Sequence, residues 1–154
     1  MSLGQDLLVT ARQLAKARPS KPRQADLRRA VSTSYYAAFH VLAQDCADRL
    51  VGTSPQRSDA AWRQTYRALD HGPAKKACEQ APNLGFPRTL IAFAEAFIDL
   101  QEERHRADYD PWARYSRAQA LDYVNVAQQA IRDLRSAAHS DRKALAVLLL
   151  MRRR

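Results

Sequence analysis

The sequence predicts an all-α fold, an up-and-down antiparallel bundle of about five helices that occupies residues 1–140. Only four of the 154 residues are glycine. Alanine, leucine, arginine and glutamine, which lose little entropy in a helix, are abundant instead. Apolar residues recur with the 3.6-residue period of a helix, and no segment alternates as a half-buried strand would. We expect residues 141–154 to form a short basic and apolar C-terminal extension.

The first helix is expected over about residues 3–17, and it should end at the proline-containing segment 18–22. A long second helix should follow over about residues 23–51 and end at Gly52, a residue typical of helix C-termini. Its predicted inward stripe follows the helical period closely. That stripe consists of Leu27, Val31, Tyr35, Ala38, Leu42, Cys46 and Leu50.

The middle of the chain predicts shorter elements. Residues 55–69 have the pattern of a helix with Trp62 and Tyr66 facing inward. Residues 70–73, Asp-His-Gly-Pro, have the composition of a turn, because glycine and proline interrupt regular structure. A short helix is expected over residues 74–80.

The fourth substantial helix should begin near Pro87, since proline is favoured in a first turn, and should reach about residue 107. Its inward stripe comprises Leu90, Phe93, Ala94, Phe97 and Leu100. The fifth helix should start behind Ser116, a plausible N-cap, and continue to about Ala138. Asp141 can cap a last turn or two, whose leucines would pack on the bundle or across a dimer.

The net charge of +9 suggests a polyanionic partner, but its distribution leaves a second explanation open. Residues 1–30 carry seven basic and two acidic side chains, and residues 132–154 carry the same numbers. Residues 31–131 carry eleven basic and twelve acidic side chains. The excess therefore lies at the two ends of the chain. A solubilising surface explains this pattern as well as nucleic-acid binding does.

Several functional classes are disfavoured. The amphipathic segment 1–17 does not resemble a secretory signal, and the apolar run 144–151 is far shorter than the roughly 20 residues of a membrane span. Cys46 and Cys78 lack metal-ligand spacing and are expected to be buried free thiols in the cytoplasm. No metal site, phosphate-binding glycine loop or other cofactor motif is expected.

Polar residues interrupt the apolar pattern of the second and fourth helices. The inward stripe of the fourth helix continues to Arg104 and Asp108, where leucine would be ordinary. A guanidinium there must be paired with a nearby carboxylate or must line a cleft. Arg29, Tyr36 and His40 similarly share one side of the second helix. They are either boundary residues that reach water or the wall of a polar cleft facing Arg104.

Two segments resemble the HEPN domain family over about residues 23–135. They are Leu27-Arg28-Arg29-Ala30-Val31-Ser32-Thr33-Ser34-Tyr35-Tyr36-Ala37-Ala38-Phe39-His40 and Arg104-His105-Arg106-Ala107-Asp108-Tyr109-Asp110. The His71-Gly72 pair between them is also similar to the family. This resemblance implies a small helical bundle, a homodimer, and a cleft between protomers that in many members cleaves RNA without a metal. The family's signature is an arginine followed after four to six residues by a histidine.

The resemblance implies site residues, although the signature differs in this chain. Arg104 would bind the scissile phosphate, and Tyr109 stands where a histidine would be expected. His105 would assist proton transfer, because imidazole titrates near neutral pH. Asp108, Tyr36, His40 and Arg29 would line the cleft for the substrate or ligand. From its position after the Asp110-Pro111 stop, Trp112 is expected to pack in the core or at an interface, with base stacking in the cleft as the alternative.

Two functional hypotheses follow from this resemblance. The first is an RNA-directed ribonuclease or toxin-like effector of a prokaryotic conflict or toxin–antitoxin system. The second is a non-catalytic module that binds a nucleotide, RNA or a partner protein through the same cleft. A nucleotidyltransferase-like protein or another antitoxin is expected as a partner, and a nucleotidyltransferase-like partner would favour the second hypothesis. The tyrosine at the expected histidine position motivates the second hypothesis.

Overall fold

The structure, a computed structural model, describes residues 2–151. Within these residues it contains seven α-helices, one short 3₁₀ helix and no β-strand, which confirms the all-α prediction. Seven helices form where about five were expected. In chain order they are α1 (Leu3–Lys16), α2 (Gln24–Leu50), α3 (Asp59–Ala68), α4 (His71–Gln80), α5 (Arg88–Tyr109), α6 (Arg117–Ser136) and α7 (His139–Leu150), with the 3₁₀ helix (Ala81–Leu84) before α5.

The long helix α2 lies at the centre and contacts α1, α3, α5, α6 and α7. Fifteen of its 27 residues are buried, so neighbouring helices cover more of the surface of α2 than the single predicted stripe. Alanine and serine account for much of this additional burial, because their small side chains let neighbouring helices approach closely. The main core then forms between α2 and α5, where Tyr35, Leu42, Phe93, Phe97 and Leu100 are almost completely inaccessible to solvent.

Local sequence sets the helix boundaries. Ser116 caps α6 as predicted, with a capping box in which Ser116 Oγ accepts from the Gln119 amide and the Gln119 side chain accepts from the Ser116 amide. Ser2 and Gln5 form the same capping box at α1. Each box satisfies amide donors that a helix leaves free at its N-terminus, and this stabilises the start of the helix.

The middle of the chain departs from the predicted elements. The predicted turn at residues 70–73 is instead the beginning of α4, which starts at His71 and continues through Gly72 and Pro73. Proline is compatible with a first helical turn because the amides there have no intrahelical acceptor. Helix α3 is shorter than predicted and has no buried residue. Trp62 is half-buried on it, with its indole Nε1 donating to Asp48 Oδ1 at 2.8 Å.

Helix α7 extends the bundle beyond the expected boundary at residue 140. Its residues Leu145, Ala146 and Leu149 are buried in the main core. Arg142 also makes an ion pair and hydrogen bonds with the buried Asp45 carboxylate of α2. The segment predicted as an extension therefore contributes a packed helix. The arginines at positions 152–154, the basic end of the predicted extension, lie outside the described residues.

The two cysteines, Cys46 and Cys78, are both free and buried, as expected. Burial raises the pKa of Cys78 to about 12, so its sulfur stays protonated near neutral pH. Over residues 2–151, the structure offers no helix that has both the length and the hydropathy to cross a bilayer.

Helices α1 and α2 pack so closely that Gly4 has no room for a side chain. A Cβ atom added to Gly4 would clash with Val41 Cγ2 and lie 2.9 Å from the Ala37 carbonyl oxygen. We expect Gly4→Ala to lower the free energy of unfolding by about 1–3 kcal/mol, because α1 must shift away from α2. Urea denaturation measures this change.

Gly72→Ala is the matched control, since no atom lies within 4 Å of the Cβ that alanine would add there. Gly72 is in α4, so alanine should leave stability unchanged or raise it by up to about 1 kcal/mol. Equal losses of stability in both variants would contradict close packing at Gly4.

Candidate functional site

Arg104 is a buried cation on the core-facing side of α5, with only 8% of its surface exposed. Its guanidinium carbon lies 5.2 Å from the Tyr35 ring centroid and 5.8 Å from that of Tyr36. Its Nη1 is 3.9 Å from Asp108 Oδ2, which is beyond hydrogen-bond distance. Its Nε is buried and has no hydrogen-bond partner. The positive charge is thus removed from water with little direct compensation.

A cavity of about 540 Å³, here called the α2–α5 cleft, opens between these two helices. Four of the predicted ligand or catalytic residues line it, namely Arg29, Tyr36, Asp108 and Tyr109. Asp108 Oδ1 lies 3.9 Å from Nη1 of Arg29, whose side chain is 72% exposed. Asp108 therefore interacts with both Arg29 and Arg104 at long range. The lining of the cleft itself carries two guanidinium groups, Arg28 and Arg29, and one carboxylate, Asp108, which is an excess of positive charge.

Arg28 holds the two walls of the cleft together. Its Nε donates to the Ala107 carbonyl oxygen and its Nη2 to the Asp110 carbonyl oxygen, each at 2.7 Å. The last carbonyls of a helix lack intrahelical donors, and a cation also interacts favourably with that end of the helix dipole. Arg28 on α2 therefore fixes the C-terminal turn of α5, which carries Asp108 and Tyr109.

A second cavity, about 260 Å³ in volume, contains both Arg104 and His105 and is here called the Arg104–His105 cavity. Lys75, Gln101 and Glu102 complete its lining. Lys75 Nζ is 3.2 Å from Glu102 Oε1. The Oε1 atom of Gln101 is buried without a hydrogen-bond partner, as is Nε of Arg104. Two buried polar atoms without partners thus belong to residues that line one cavity.

His71 is a site residue that the sequence analysis did not select. Its Nδ1 lies 2.6 Å from the Tyr35 hydroxyl, and its ring stacks on Phe39 at a centroid distance of 4.3 Å. Burial raises the pKa of Tyr35, so the phenol keeps its proton near neutral pH and is hydrogen-bonded to Nδ1, with the donor set by the tautomer of His71. Burial and then the nearby Arg104 charge lower the pKa of His71, which favours the neutral imidazole.

His40 is hydrogen-bonded to a residue of α3. Its Nδ1 lies 2.6 Å from the Tyr66 hydroxyl of α3, and the two rings stack. Burial lowers the pKa of His40. No hydrogen bond or ion pair joins His40 to Arg104 in the described part of the chain. The structure therefore connects His40 to α3 and connects His71 to the surroundings of Arg104.

The end of α5 presents aromatic side chains to solvent. Tyr109 is 67% exposed and packs against His105 with ring centroids 4.9 Å apart. Trp112 is 88% exposed, which excludes the core position that was one of its predicted placements. Nearby, the Tyr115 hydroxyl donates to Glu103 Oε1 at 2.6 Å and anchors the following loop on α5. This anchoring keeps the exposed aromatic residues next to the cleft.

Metal-binding chemistry has no candidate group among residues 2–151, where no three histidine, cysteine, aspartate or glutamate side chains converge. Comparison with known proteins gives no family assignment either. No protein-family model, curated protein or solved structure matches this chain.

The contrasting environments of Arg28 and Arg104 predict different effects on stability. Arg28→Met should lower the free energy of unfolding by about 1–3 kcal/mol, because two helix-terminal carbonyls lose a charged donor. The free energy of unfolding of Arg104→Met should stay within about 1 kcal/mol of that of the unsubstituted chain, because an apolar side chain of similar length replaces a poorly paired buried charge. Urea denaturation of both variants tests the difference. A large loss for Arg104→Met would show that Arg104 is held for structural reasons.

The pKa of His71 provides a test of its proximity to Arg104. We expect its folded-state value to lie below the usual value of about 6.5 and to rise in Arg104→Met. The stability due to His71 should be present above about pH 6.5 and lost as pH falls toward the folded-state pKa, because the unfolded chain binds the proton first. NMR titration of the imidazole measures both effects. His40 is the internal control, since burial alone lowers its pKa. An unchanged His71 pKa in Arg104→Met contradicts the assignment.

Proposed function

We propose that this chain is an HEPN-type protein directed at RNA, acting as a metal-independent endoribonuclease of the toxin-like kind. The observation that carries the proposal is that Arg104 and His105 line one cavity at the end of α5. A phosphate-binding cation and a group that exchanges protons near neutral pH are the two components that RNA cleavage by the 2′-hydroxyl requires.

Arg104 is suited to bind phosphate. Its guanidinium is nine-tenths buried, its Nε has no partner, and its closest carboxylate oxygen is 3.9 Å away. A phosphate oxygen at this position would supply the missing acceptor and pair the buried charge. The planar fork of arginine binds phosphate with two parallel hydrogen bonds. Lys75 lines the same cavity and adds a second cation, although Glu102 partly neutralises it.

His105 is the proposed proton-transfer residue. In the reaction, the ribose 2′-oxygen attacks phosphorus and gives up its proton to a base. The bond from phosphorus to the 5′-oxygen breaks, and that oxygen takes up a proton, leaving a 2′,3′-cyclic phosphate. His105 is exposed and lies against Tyr109, so its imidazole is accessible to a bound strand. Tyr109 then orients His105 by ring packing.

Exposed aromatic residues beside the cleft fit a single-stranded substrate. Tyr109 and Trp112 are largely exposed, and Tyr36 lines the α2–α5 cleft. Aromatic rings stack on unpaired bases, and each stacking contact contributes on the order of 1–3 kcal/mol. Arg29, with its exposed side chain, would contact an adjacent phosphate.

The proposal includes a homodimer whose two clefts meet at the exposed end of α5. Large aromatic residues are enriched in protein interfaces, and Trp112 is 88% exposed there. It also includes an antitoxin partner, of the nucleotidyltransferase-like or another kind, which would restrain the activity. We propose the cytoplasm as the site of action, where buried free thiols such as Cys46 and Cys78 remain reduced.

Purified protein should cleave labelled single-stranded RNA in the presence of EDTA and leave 2′,3′-cyclic phosphate ends. Arg104→Ala should reduce the rate by about 100-fold or more, because transition-state charge on phosphate loses its cation. His105→Ala should reduce it by about 100-fold through loss of proton transfer. Arg88→Ala, on the exposed opposite end of α5, is the matched control and should cleave normally. Cleavage that survives Arg104→Ala would contradict the assignment.

A non-catalytic module is the second candidate, and the tyrosine at position 109 favours it. Tyrosine has an ordinary pKa of about 10, so it exchanges protons poorly at neutral pH. In this alternative the same residues bind RNA or a nucleotide without cleaving it. Fluorescence anisotropy on the same RNA distinguishes the two candidates. Binding that Arg104→Ala weakens, with no cleavage by the unsubstituted chain or by Tyr109→His, would establish the second candidate.

A further inference from the structure

A further cavity lies between α1 and α6 and shares no lining residue with the α2–α5 cleft or the Arg104–His105 cavity. It has a volume of about 690 Å³ and is here called the α1–α6 groove. Leu8, Val9 and Ile131 form its apolar part, and Val9 is 46% exposed. A concave apolar surface of this kind is typical of a binding site for an apolar segment.

Basic side chains border this apolar floor. Arg12, Lys16, Arg132 and Arg135 all line the α1–α6 groove, and no acidic side chain does so among residues 2–151. None of these four side chains makes a salt bridge in that part of the chain. Arg12 donates only to the uncharged amide oxygens of Asn125 and Gln128, the latter at 3.0 Å. No ion pair among residues 2–151 therefore offsets the charge of these four side chains.

The fold explains how this concentration of charge arises. The sequence places its positive excess in residues 1–30 and 132–154, whereas residues 31–131 are close to neutral. Helix α1 comes from the first of these regions, and the last turns of α6 come from the second. Because α1 packs along α6, part of each basic end borders one groove. Basic residues that lie at opposite ends of the sequence are thus brought together along one groove in the structure.

Charge and shape narrow the range of occupants. A second copy docked symmetrically would bring four cations against four cations, which is unfavourable. Single-stranded RNA would find no aromatic side chain among the described lining residues on which to stack its bases. A planar bilayer surface does not fill a concave groove. An apolar stripe flanked by carboxylates matches both the apolar floor and the basic border.

We propose that the α1–α6 groove binds an acidic amphipathic helix of a partner protein. Leucine-type side chains at positions i, i+3, i+4 and i+7 would occupy the apolar floor between α1 and α6. Glutamate or aspartate side chains on both flanks would pair with the basic border. This interaction does not depend on Arg104 or His105, so it stands or falls separately from the activity on RNA.

The test uses the whole chain and a labelled model peptide of about 18 residues, roughly 27 Å long as a helix. The acidic peptide carries leucine on one helical face and glutamate elsewhere, and the basic peptide has lysine in place of glutamate. Fluorescence anisotropy should show saturable binding of the acidic peptide, weakened by salt, and no comparable binding of the basic peptide.

Two pairs of variants locate the binding. The double variant Arg132→Glu with Arg135→Glu should weaken binding at least about tenfold, because attraction becomes repulsion at two exposed positions. Arg63→Glu with Arg67→Glu on α3 changes the net charge equally at a distant, exposed surface and should have little effect. Val9→Gln should also weaken binding, whereas Val126→Gln, exposed elsewhere on α6, should not.

Several results would overturn the proposal. Equal weakening by both double charge reversals would show general electrostatic attraction without a specific groove. Absence of saturable binding, or equal binding of the acidic and basic peptides, would reject an acidic helix as occupant. The same variants can be tested with oleate, phosphatidylglycerol vesicles and single-stranded RNA. If the groove variants lose binding of one of these but keep binding of the peptide, the groove belongs to that other ligand.

Discussion

The burial of α2 on several sides is the constraint on which the rest of the structure depends. A helix covered by five neighbours must have small side chains wherever another backbone approaches closely, and α2 meets this requirement with alanine and serine at many buried positions. Gly4 meets the same requirement on α1. With α2 enclosed, α1 and α6 pack along each other as well, and α5 presents its phenylalanines to Tyr35. Both proposed sites, the cleft beside α5 and the groove between α1 and α6, result from this arrangement around one helix.

Enclosing α2 also forces polar groups into the interior, and most of them have partners. The Ser34 hydroxyl donates to the Ala30 carbonyl oxygen at 2.8 Å, and Asp45 pairs with Arg142. The buried Nε of Arg49 has no hydrogen bond but lies 3.7 Å from Asp45 Oδ1, and Nη1 of Arg49 is 2.8 Å from Nδ1 of His139. Arg104 differs because no hydrogen bond is found for its guanidinium within the described residues. Its charge is offset by Asp108 at 3.9 Å and by the rings of Tyr35 and Tyr36, which compensate burial less well than a hydrogen-bonded ion pair does.

Periodicity and capping residues were sufficient to predict the helical class, the stripe of α2 and the start of α6 at Ser116, because these depend on neighbours within one or two turns. The start of α4 was missed because Gly72 and Pro73 suit both a turn and a first helical turn. The continued stripe of α5 identified Arg104 and Asp108 as unusual. His71 could not be selected in the same way, since its relation to Tyr35 and Arg104 exists only after α4 packs against α5.

The two basic surfaces differ in a way that net charge does not predict. In the α2–α5 cleft, Asp108 lies 3.9 Å from both Arg29 and Arg104, so part of the positive potential is offset at the site itself. The α1–α6 groove has no such carboxylate among its described lining residues. A phosphate bound at Arg104, as proposed for the Arg104–His105 cavity, would compete with this weak interaction with Asp108. The acidic helix proposed for the α1–α6 groove would instead bind through charge and apolar surface together. Burial around α2 therefore sets a different balance of charge and apolar surface at each of the two sites.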